Sequence, residues 1–143
     1  DRPTLIVDID GHHGNGTQEI FLGEPKVTFI SLHRGGIYPG TGLESRANCI
    51  NIPYWYEPED TQYVEDLKKA LAQVGEFEVV GISAGFDGYQ GDLSSLGLTE
   101  RCFREIGRMI GGLGRKTFCV LEGGYREHVG LCIHQLLQGL KET

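Results

Sequence analysis

The sequence predicts an α/β fold in three layers, with a mostly parallel sheet of about five strands and helices on both faces. Five short apolar runs alternate with stretches of helical periodicity, which is typical of a parallel sheet. Glycine-rich segments follow four of these runs. Ligands of open parallel sheets bind at the carboxyl ends of the strands, where glycine allows close approach of the backbone. We therefore expect a functional site at that edge.

Each predicted strand is short and, in most cases, nearly continuous in apolar residues, as strands buried on both faces are. The runs cover residues 4–8, 26–32, 48–53, 78–83 and 116–121. The chain of 143 residues fits one domain, residues 1–143, that can bury a core without disulfides.

Three helices are predicted from apolar residues at helical spacing. The first covers residues 60–74, with Asp60 or Thr61 available as its cap. The second follows Thr99, which is its predicted cap, and residues 111–114 form the glycine-rich loop that ends it. The third begins at about Arg126.

The composition excludes several classes of function. A net charge of −7 and a pI near 5.2 disfavour nucleic acid and anionic membranes as partners. No apolar stretch is long enough to span a membrane, and no signal peptide is visible, so the sequence predicts a cytoplasmic protein. The four cysteines form no Cys-x-x-Cys pair and are predicted to be reduced core residues: Cys49, Cys102, Cys119 and Cys132.

Acidic residues and a histidine follow the first predicted strand. Asp8, Asp10 and His12 are spaced by two, so in an extended chain they project to the same side. Such donors suit Zn²⁺ or another divalent metal, but Asp and Gly also form turns at strand ends, and the pattern alone leaves both interpretations open. Asp87, which follows the fourth strand, and Asp92 in the same loop reach the same edge and favour the metal.

Four segments together resemble the zinc-dependent histone deacetylase family, which includes acetylpolyamine amidohydrolases and acetoin-utilisation proteins. They read DIDGHHGNGTQEIF, ISLHRGGIYPGTG, GISAGFDGYQGDLSSLGLT and VLEGGY, in that order. The resemblance covers most of this chain but only about the C-terminal half of a full deacetylase domain. It implies part of an arginase/deacetylase-like fold and an amidohydrolase that removes acetyl groups from acetylated lysine or polyamine-type amines.

The resemblance also implies a role for individual residues. Asp10, His12 and Asp87 match the zinc ligands, and Tyr125 matches the tyrosine that hydrogen-bonds the developing oxyanion. The remaining matches are a monovalent-cation site for K⁺ at Asp8, Ser31 and Leu32, with carbonyls of Asp10 and His12; a wall of the substrate tunnel at Tyr38; and supporting residues at His13, Asn15 and Asp92.

Without the resemblance, several of these residues have simpler interpretations. Tyr125 is then an aromatic residue after a turn, Ser31 a small buried strand residue and Tyr38 a turn residue before Pro39. His33 is predicted to be structural, and His128 and His134 are assigned to the surface or to packing.

The family's general base is a pair of adjacent histidines well upstream of the Asp-x-Asp-x-His motif, and His12 and His13 are not that pair. The sequence therefore predicts a chain that is inactive or very weak alone, and its start at Asp1 rather than Met favours a fragment. A non-catalytic remnant that acts in binding or assembly is the alternative. A nucleotide-binding domain fits the glycine content but fails in detail, because GHHGNGTQE lacks the third glycine of GxGxxG and no GxxxxGK[ST] motif occurs.

The resemblance also bears on partners. The family sheet has eight strands, so strand 116–121 is expected to lack one neighbour. An apolar edge invites pairing, and we expect a homo-oligomer or a partner fragment to cover it.

Overall fold

The computed structural model describes residues 1–142. Within them lie five strands and four helices, and the sheet is parallel throughout, which confirms the predicted fold class. In chain order the elements are β1 (Thr4–Asp8), α1 (Asn15–Phe21), β2 (Val27–Arg34), β3 (Cys49–Tyr54), α2 (Glu59–Ala72), β4 (Val79–Ala84), α3 (Glu100–Gly111), β5 (Lys116–Leu121) and α4 (Val129–Lys141).

The strand order is β3-β2-β1-β4-β5, so β1 lies at the centre of the sheet. Asp8, the last residue of β1, pairs with Ser31 of β2 on one side and with Ser83 of β4 on the other. The carboxyl ends of β1, β2 and β4 therefore meet at one edge, as the sequence predicts.

One face of the sheet carries the main apolar core. Val7, Ile30 and Ile82 are paired neighbours on this face and are almost completely buried, and buried residues of α2, α3 and α4 belong to the same core cluster. Helices α3 and α4 approach closely at Gly107 and Gly139. The absence of side chains there allows this approach, since a Cβ on either glycine would meet the backbone of the other helix.

The opposite face is covered over β2 and β3 by α1, which the sequence analysis did not predict. This helix has seven residues and no buried side chain, so it carries no apolar periodicity to recognise. The Asn48 amide holds its end: Nδ2 donates to the carbonyls of Phe21 and Val27, each at 2.8 Å, and Oδ1 accepts from the N–H of Gly23 at 2.7 Å.

The predicted helix caps are partly wrong. Helix α2 begins at Glu59 with Pro58 at its N-cap, not Asp60 or Thr61. Asp60 instead accepts hydrogen bonds from the backbone N–H and the hydroxyl of Thr99. Thr99 is the N-cap residue of α3, but its side chain makes no capping bond because this contact with α2 occupies it.

All four cysteines are free, and three are buried as predicted. The prediction for Cys119 is wrong because β5 is an edge strand whose side chains are largely exposed. Within residues 1–142, no helix is both long enough and apolar enough to cross a membrane.

Candidate metal centre

The candidate site lies where the chain leaves β1 and β4. Asp10 and His12 follow β1, and Asp87 follows β4, the adjacent strand. One ligand atom from each of the three residues lies within 4.8 Å of the others. The structure therefore brings together the three residues that resemble zinc ligands.

The imidazole of His12 lies between the two carboxylates. Its Nδ1 is 2.8 Å from Asp87 Oδ2 and 3.3 Å from Asp10 Oδ1. The Asp87 side chain is fully buried, whereas those of Asp10 and His12 are 14% and 26% exposed. The cluster thus opens on one side, toward a surface cavity of about 630 Å³.

Backbone N–H groups orient the two carboxylates. Asp87 Oδ1 accepts from Gly11 at 2.8 Å, and Asp10 Oδ2 accepts from Gly123 at 2.9 Å. Asp87 Oδ2 and His12 Nδ1 remain directed at one another across the cluster. Such support fixes ligand geometry in metal sites.

Two glycines make this packing possible. A Cβ on Gly85 would lie 2.2 Å from Asp10 Oδ2, and one on Gly123 would lie 2.6 Å from Asp87 Oδ2. Both distances are too short for any other residue unless the carboxylates move. The glycine-rich segments that follow β4 and β5 therefore serve close approach to the acidic cluster.

The electrostatics of the cluster favour a bound cation. Burial, and then the charge of Asp10, raises the pKa of Asp87. The same two causes raise the pKa of Asp8 well above its usual range, and Asp8 is only 3% exposed. Three neighbouring carboxyl groups with one imidazole are costly to bury as anions without a positive charge. Oxygen and nitrogen donors in this arrangement fit a divalent metal such as zinc.

The residues that resemble the monovalent-cation site lie beside this cluster. Asp8 Oδ1 accepts from the N–H of Asp10 at 3.0 Å, and the paired Ser31 hydroxyl is 2.8 Å from His33 Nδ1. Leu32 follows in the same strand and is fully buried. His33 is buried too, and its Nε2 lies 2.8 Å from the carbonyl of Gly42, in agreement with its predicted structural role.

His13 and Asp92 brace neighbouring loops. His13 is buried and lies 2.8 Å from Thr41 Oγ1 and 3.1 Å from Gln18 Oε1, which joins α1 to the loop after β2. Asp92 Oδ2 accepts from the backbone N–H of Tyr125 at 3.1 Å and so places that residue.

The aromatic residues and Asn15 are in different positions. Tyr38 and Tyr125 both line the cavity and are 82% and 60% exposed. Asn15 begins α1 and is exposed, and the structure does not bring it into the cluster. His128 and His134 are exposed on or near α4, and the His128 ring stacks on Tyr89 at 5.0 Å.

Sequence reasoning missed Gln18 and Asn51. Gln18 Oε1 accepts from Asn51 Nδ2 at 2.7 Å in addition to its contact with His13. No motif marks these residues, since their roles depend on a contact between α1 and β3.

Comparison with known proteins identifies one family over nearly the whole chain. The histone deacetylase domain family matches residues 2–140. An uncharacterised protein of Methanocaldococcus jannaschii is 37% identical over 135 residues, which is 87% of this chain and 39% of that protein. Histone deacetylase 15 of Arabidopsis thaliana is 39% identical over 140 residues, or 87% of this chain and 25% of that protein.

Among solved structures, the acetylpolyamine aminohydrolase of Burkholderia pseudomallei superposes with a TM-score of 0.89 at 27% identity. The match covers 99% of this chain and 45% of that one. The chain thus spans less than half the length of each of these relatives.

Proposed function

This chain belongs to the histone deacetylase family, and we propose that it supplies the zinc-binding and oxyanion-binding part of a deacetylase. The substrate class would be acetylated lysine or polyamine-type amines. The convergence of Asp10, His12 and Asp87 at the open end of the sheet is the observation that carries this proposal.

The metal would be held by one oxygen from each carboxylate and by His12 Nδ1, the atoms that already converge. Three protein ligands leave a coordination position open, as in catalytic zinc sites. When bound there, zinc supplies a Lewis acid for the acetyl carbonyl and lowers the pKa of a bound water.

The chain's own residues would then position the substrate. The backbone N–H groups of Gly11 and Gly123 keep the ligand carboxylates in place. Tyr125, tethered through its N–H to Asp92, lies at the cavity wall, where its hydroxyl can donate to the carbonyl oxygen as negative charge develops. Tyr38 lines the same cavity and would flank the acyl chain.

These residues do not supply a general base to accept the proton of the attacking water. Among residues 1–142, His12 belongs to the ligand cluster, and His13 is buried against Gln18 and Thr41. A positioned general base contributes roughly 10²- to 10⁴-fold to rate. We therefore propose that the chain alone hydrolyses acetyl-lysine very weakly or not at all.

Three narrower proposals accompany this one. Asp8, Ser31 and Leu32 would bind K⁺ beside the zinc site, since a buried carboxylate and a hydroxyl on paired strand residues suit a cation. The small-molecule partner would be an acetylated amine, and the chain would make no direct contact with nucleic acid or membrane. Its protein partner would be a second copy of the chain or the portion of the domain that this chain does not match. A cytoplasmic location also stays a prediction.

A second candidate function is a non-catalytic module that keeps the fold and acts in binding or assembly. A tandem histidine in the parent gene would favour the enzyme instead.

Zinc titration calorimetry on the metal-stripped chain tests the main proposal. We expect one tight site in the wild type and in the exposed control Glu65→Ala, and loss of that site in Asp87→Ala, which removes a fully buried ligand. If Asp87→Ala binds zinc as tightly as the wild type does, the proposed ligand set is contradicted. No binding by the folded wild type would leave the binding or assembly module as the better account.

A further inference from the structure

Tyr125 lies in the loop that joins β5 to α4, and this loop contacts the loop that follows β4. Before Tyr125, the N–H of Gly123 donates to Asp10 Oδ2 and the carbonyl of Gly123 accepts from the N–H of Phe86, each at 2.9 Å. The N–H of Tyr125 itself donates to Asp92 Oδ2 at 3.1 Å. These bonds hold the backbone as far as Tyr125, and different contacts hold the chain that follows it.

Two side chains that follow Tyr125 contact the loop after β4. The Nε–H of Arg126 donates to the carbonyl of Gly91 at 3.3 Å. The ring of His128 stacks on the ring of Tyr89, with 5.0 Å between the centroids and 21° between the planes. Ring pairs at this separation contribute free energy beyond the area that they bury. Arg126 and His128 therefore attach the second half of the Tyr125 loop.

Tyr89 is a well-anchored support for the His128 ring. It is only 8% exposed and belongs to the main apolar core. Its N–H donates to the carbonyl of Phe86 at 3.2 Å, and its carbonyl accepts from the N–H of Asp92 at 3.0 Å. Asp92 and Tyr89 thus belong to one hydrogen-bonded loop, so the contacts on both sides of Tyr125 lead to the same support.

The residues before Tyr125 do not fix the conformation of this loop by themselves. Gly123 and Gly124 precede it, and glycine loses more conformational freedom on ordering than any other residue. Gly124 has a φ of 129°, which residues with a Cβ rarely adopt. Contacts beyond Tyr125 are therefore needed to select one conformation of the loop.

We propose that Arg126 and His128 are positioning residues that hold the Tyr125 hydroxyl at the wall of the metal-centre cavity. Tyr125 lines that cavity, whereas Arg126 and His128 are not among its lining residues. They act by docking segment 125–128 onto loop 86–92. The inference rests on the proposed oxyanion role of Tyr125, but the two docking contacts do not involve a metal ligand.

Docking matters because a donor to an oxyanion acts over a narrow range of distance, about 2.7–3.1 Å. A loop that is docked for only part of the time presents its hydroxyl for only that fraction. The apparent affinity for a ligand that needs the hydroxyl falls by the same fraction. A contact remote from the ligand can therefore be measured through the ligand.

Hydrogen exchange of the Tyr125 N–H, followed by NMR on the metal-stripped full chain, tests the docking directly. We expect exchange about threefold faster in His128→Ala and in Arg126→Ala, because each loses one contact that holds the loop closed. His128→Phe keeps a flat ring and should retain the wild-type rate. His134→Ala, which removes an exposed histidine of α4, is the matched control.

Binding of acetohydroxamate to the zinc-loaded chain tests the effect on the hydroxyl. Tyr125→Phe should weaken this binding about tenfold, because it removes a donor to a negatively charged oxygen. His128→Ala should weaken it about threefold. The double variant Tyr125→Phe/His128→Ala should bind no more weakly than Tyr125→Phe, since His128 acts only through the Tyr125 hydroxyl. Zinc affinity should be the same in all of these variants.

Two results would overturn the proposal. The first is an unchanged Tyr125 exchange rate in both His128→Ala and Arg126→Ala while circular dichroism shows that both are folded. The second is a loss of acetohydroxamate affinity on His128→Ala that is as large in the Tyr125→Phe background as in the wild type.

Failure of the proposed function gives different results. A wild-type chain that binds no zinc, or a Tyr125→Phe variant that binds acetohydroxamate as tightly as the wild type, would contradict the proposed function. The exchange measurement needs no metal, so it decides the docking role of Arg126 and His128 in either case.

Discussion

Replacing Gly85 with alanine tests whether close backbone approach holds the metal ligands. Gly85 follows the last residue of β4, and its backbone lies against the Asp10 side chain. An added Cβ would lie 2.2 Å from Asp10 Oδ2 and 2.5 Å from its Cβ and Cγ. Three atoms of one short side chain are involved, so the Asp10 carboxylate must move as a unit.

The movement separates Asp10 Oδ2 from the N–H of Gly123, a bond of 2.9 Å. A hydrogen bond to a charged group contributes about 1.5–3 kcal/mol. Loss of a group that supports a metal ligand weakens affinity about 10- to 100-fold. We therefore expect Gly85→Ala to raise the zinc dissociation constant about 10- to 100-fold.

Competition with a chromophoric chelator measures this change. Gly88→Ala is the matched control, because its Cβ would meet only Leu96 and Leu98 methyl groups at 3.4 Å, an ordinary contact. Both variants replace a glycine with alanine, and only Gly85→Ala brings the new Cβ against Asp10. Zinc affinity of Gly85→Ala equal to that of Gly88→Ala would refute the reasoning.

Three other predictions concern stability and use chemical denaturation. Gly107→Ala should destabilise the fold by about 3 kcal/mol, since its Cβ would lie 2.3 Å from the carbonyl oxygen of Leu136. The control is Gly130→Ala in α4, whose Cβ would meet no other atom within 4 Å and which should be neutral or stabilising by up to about 1 kcal/mol. Asn48→Ala should cost about 2 kcal/mol because it leaves peptide groups at the end of α1 without partners, and a loss under about 0.5 kcal/mol would contradict the clamp. Burial lowers the pKa of His33 to about 4, so its contribution to stability should be complete above about pH 6.5 and decline by about 3 kcal/mol as the pH falls toward 4. The free energy of unfolding of His33→Gln should lack that decline. If its dependence on pH is the same as that of the wild type, His33 is not buried as a neutral imidazole.

Much of the fold is readable from local pattern. The apolar runs place β1 and β5 at their observed bounds and the other three strands within two residues at either end. Helix α1 escapes because it is short and stabilised by side chains such as Asn48 from the loop before β3, which no periodicity records. The exposure of Cys119 escapes prediction for a related reason: an apolar strand has the same sequence pattern whether or not a neighbouring strand covers it.

The sequence by itself predicted that Asp10, His12 and Asp87 lie at one edge of the sheet, because they follow parallel strands and parallel strands end at the same edge. That β4 lies directly beside β1, which brings the three residues together, is decided by the sheet topology. Only the tertiary structure decided how the carboxylates point. The N–H of His12 binds Asp10 Oδ1 locally, but the N–H groups that bind Asp87 Oδ1 and Asp10 Oδ2 come from far along the chain. Gly11 lies 76 residues from Asp87, and Gly123 lies 113 residues from Asp10. The exposure of β5 was likewise a property of the assembled sheet, because whether a strand lies at an edge depends on the strands that pair beside it.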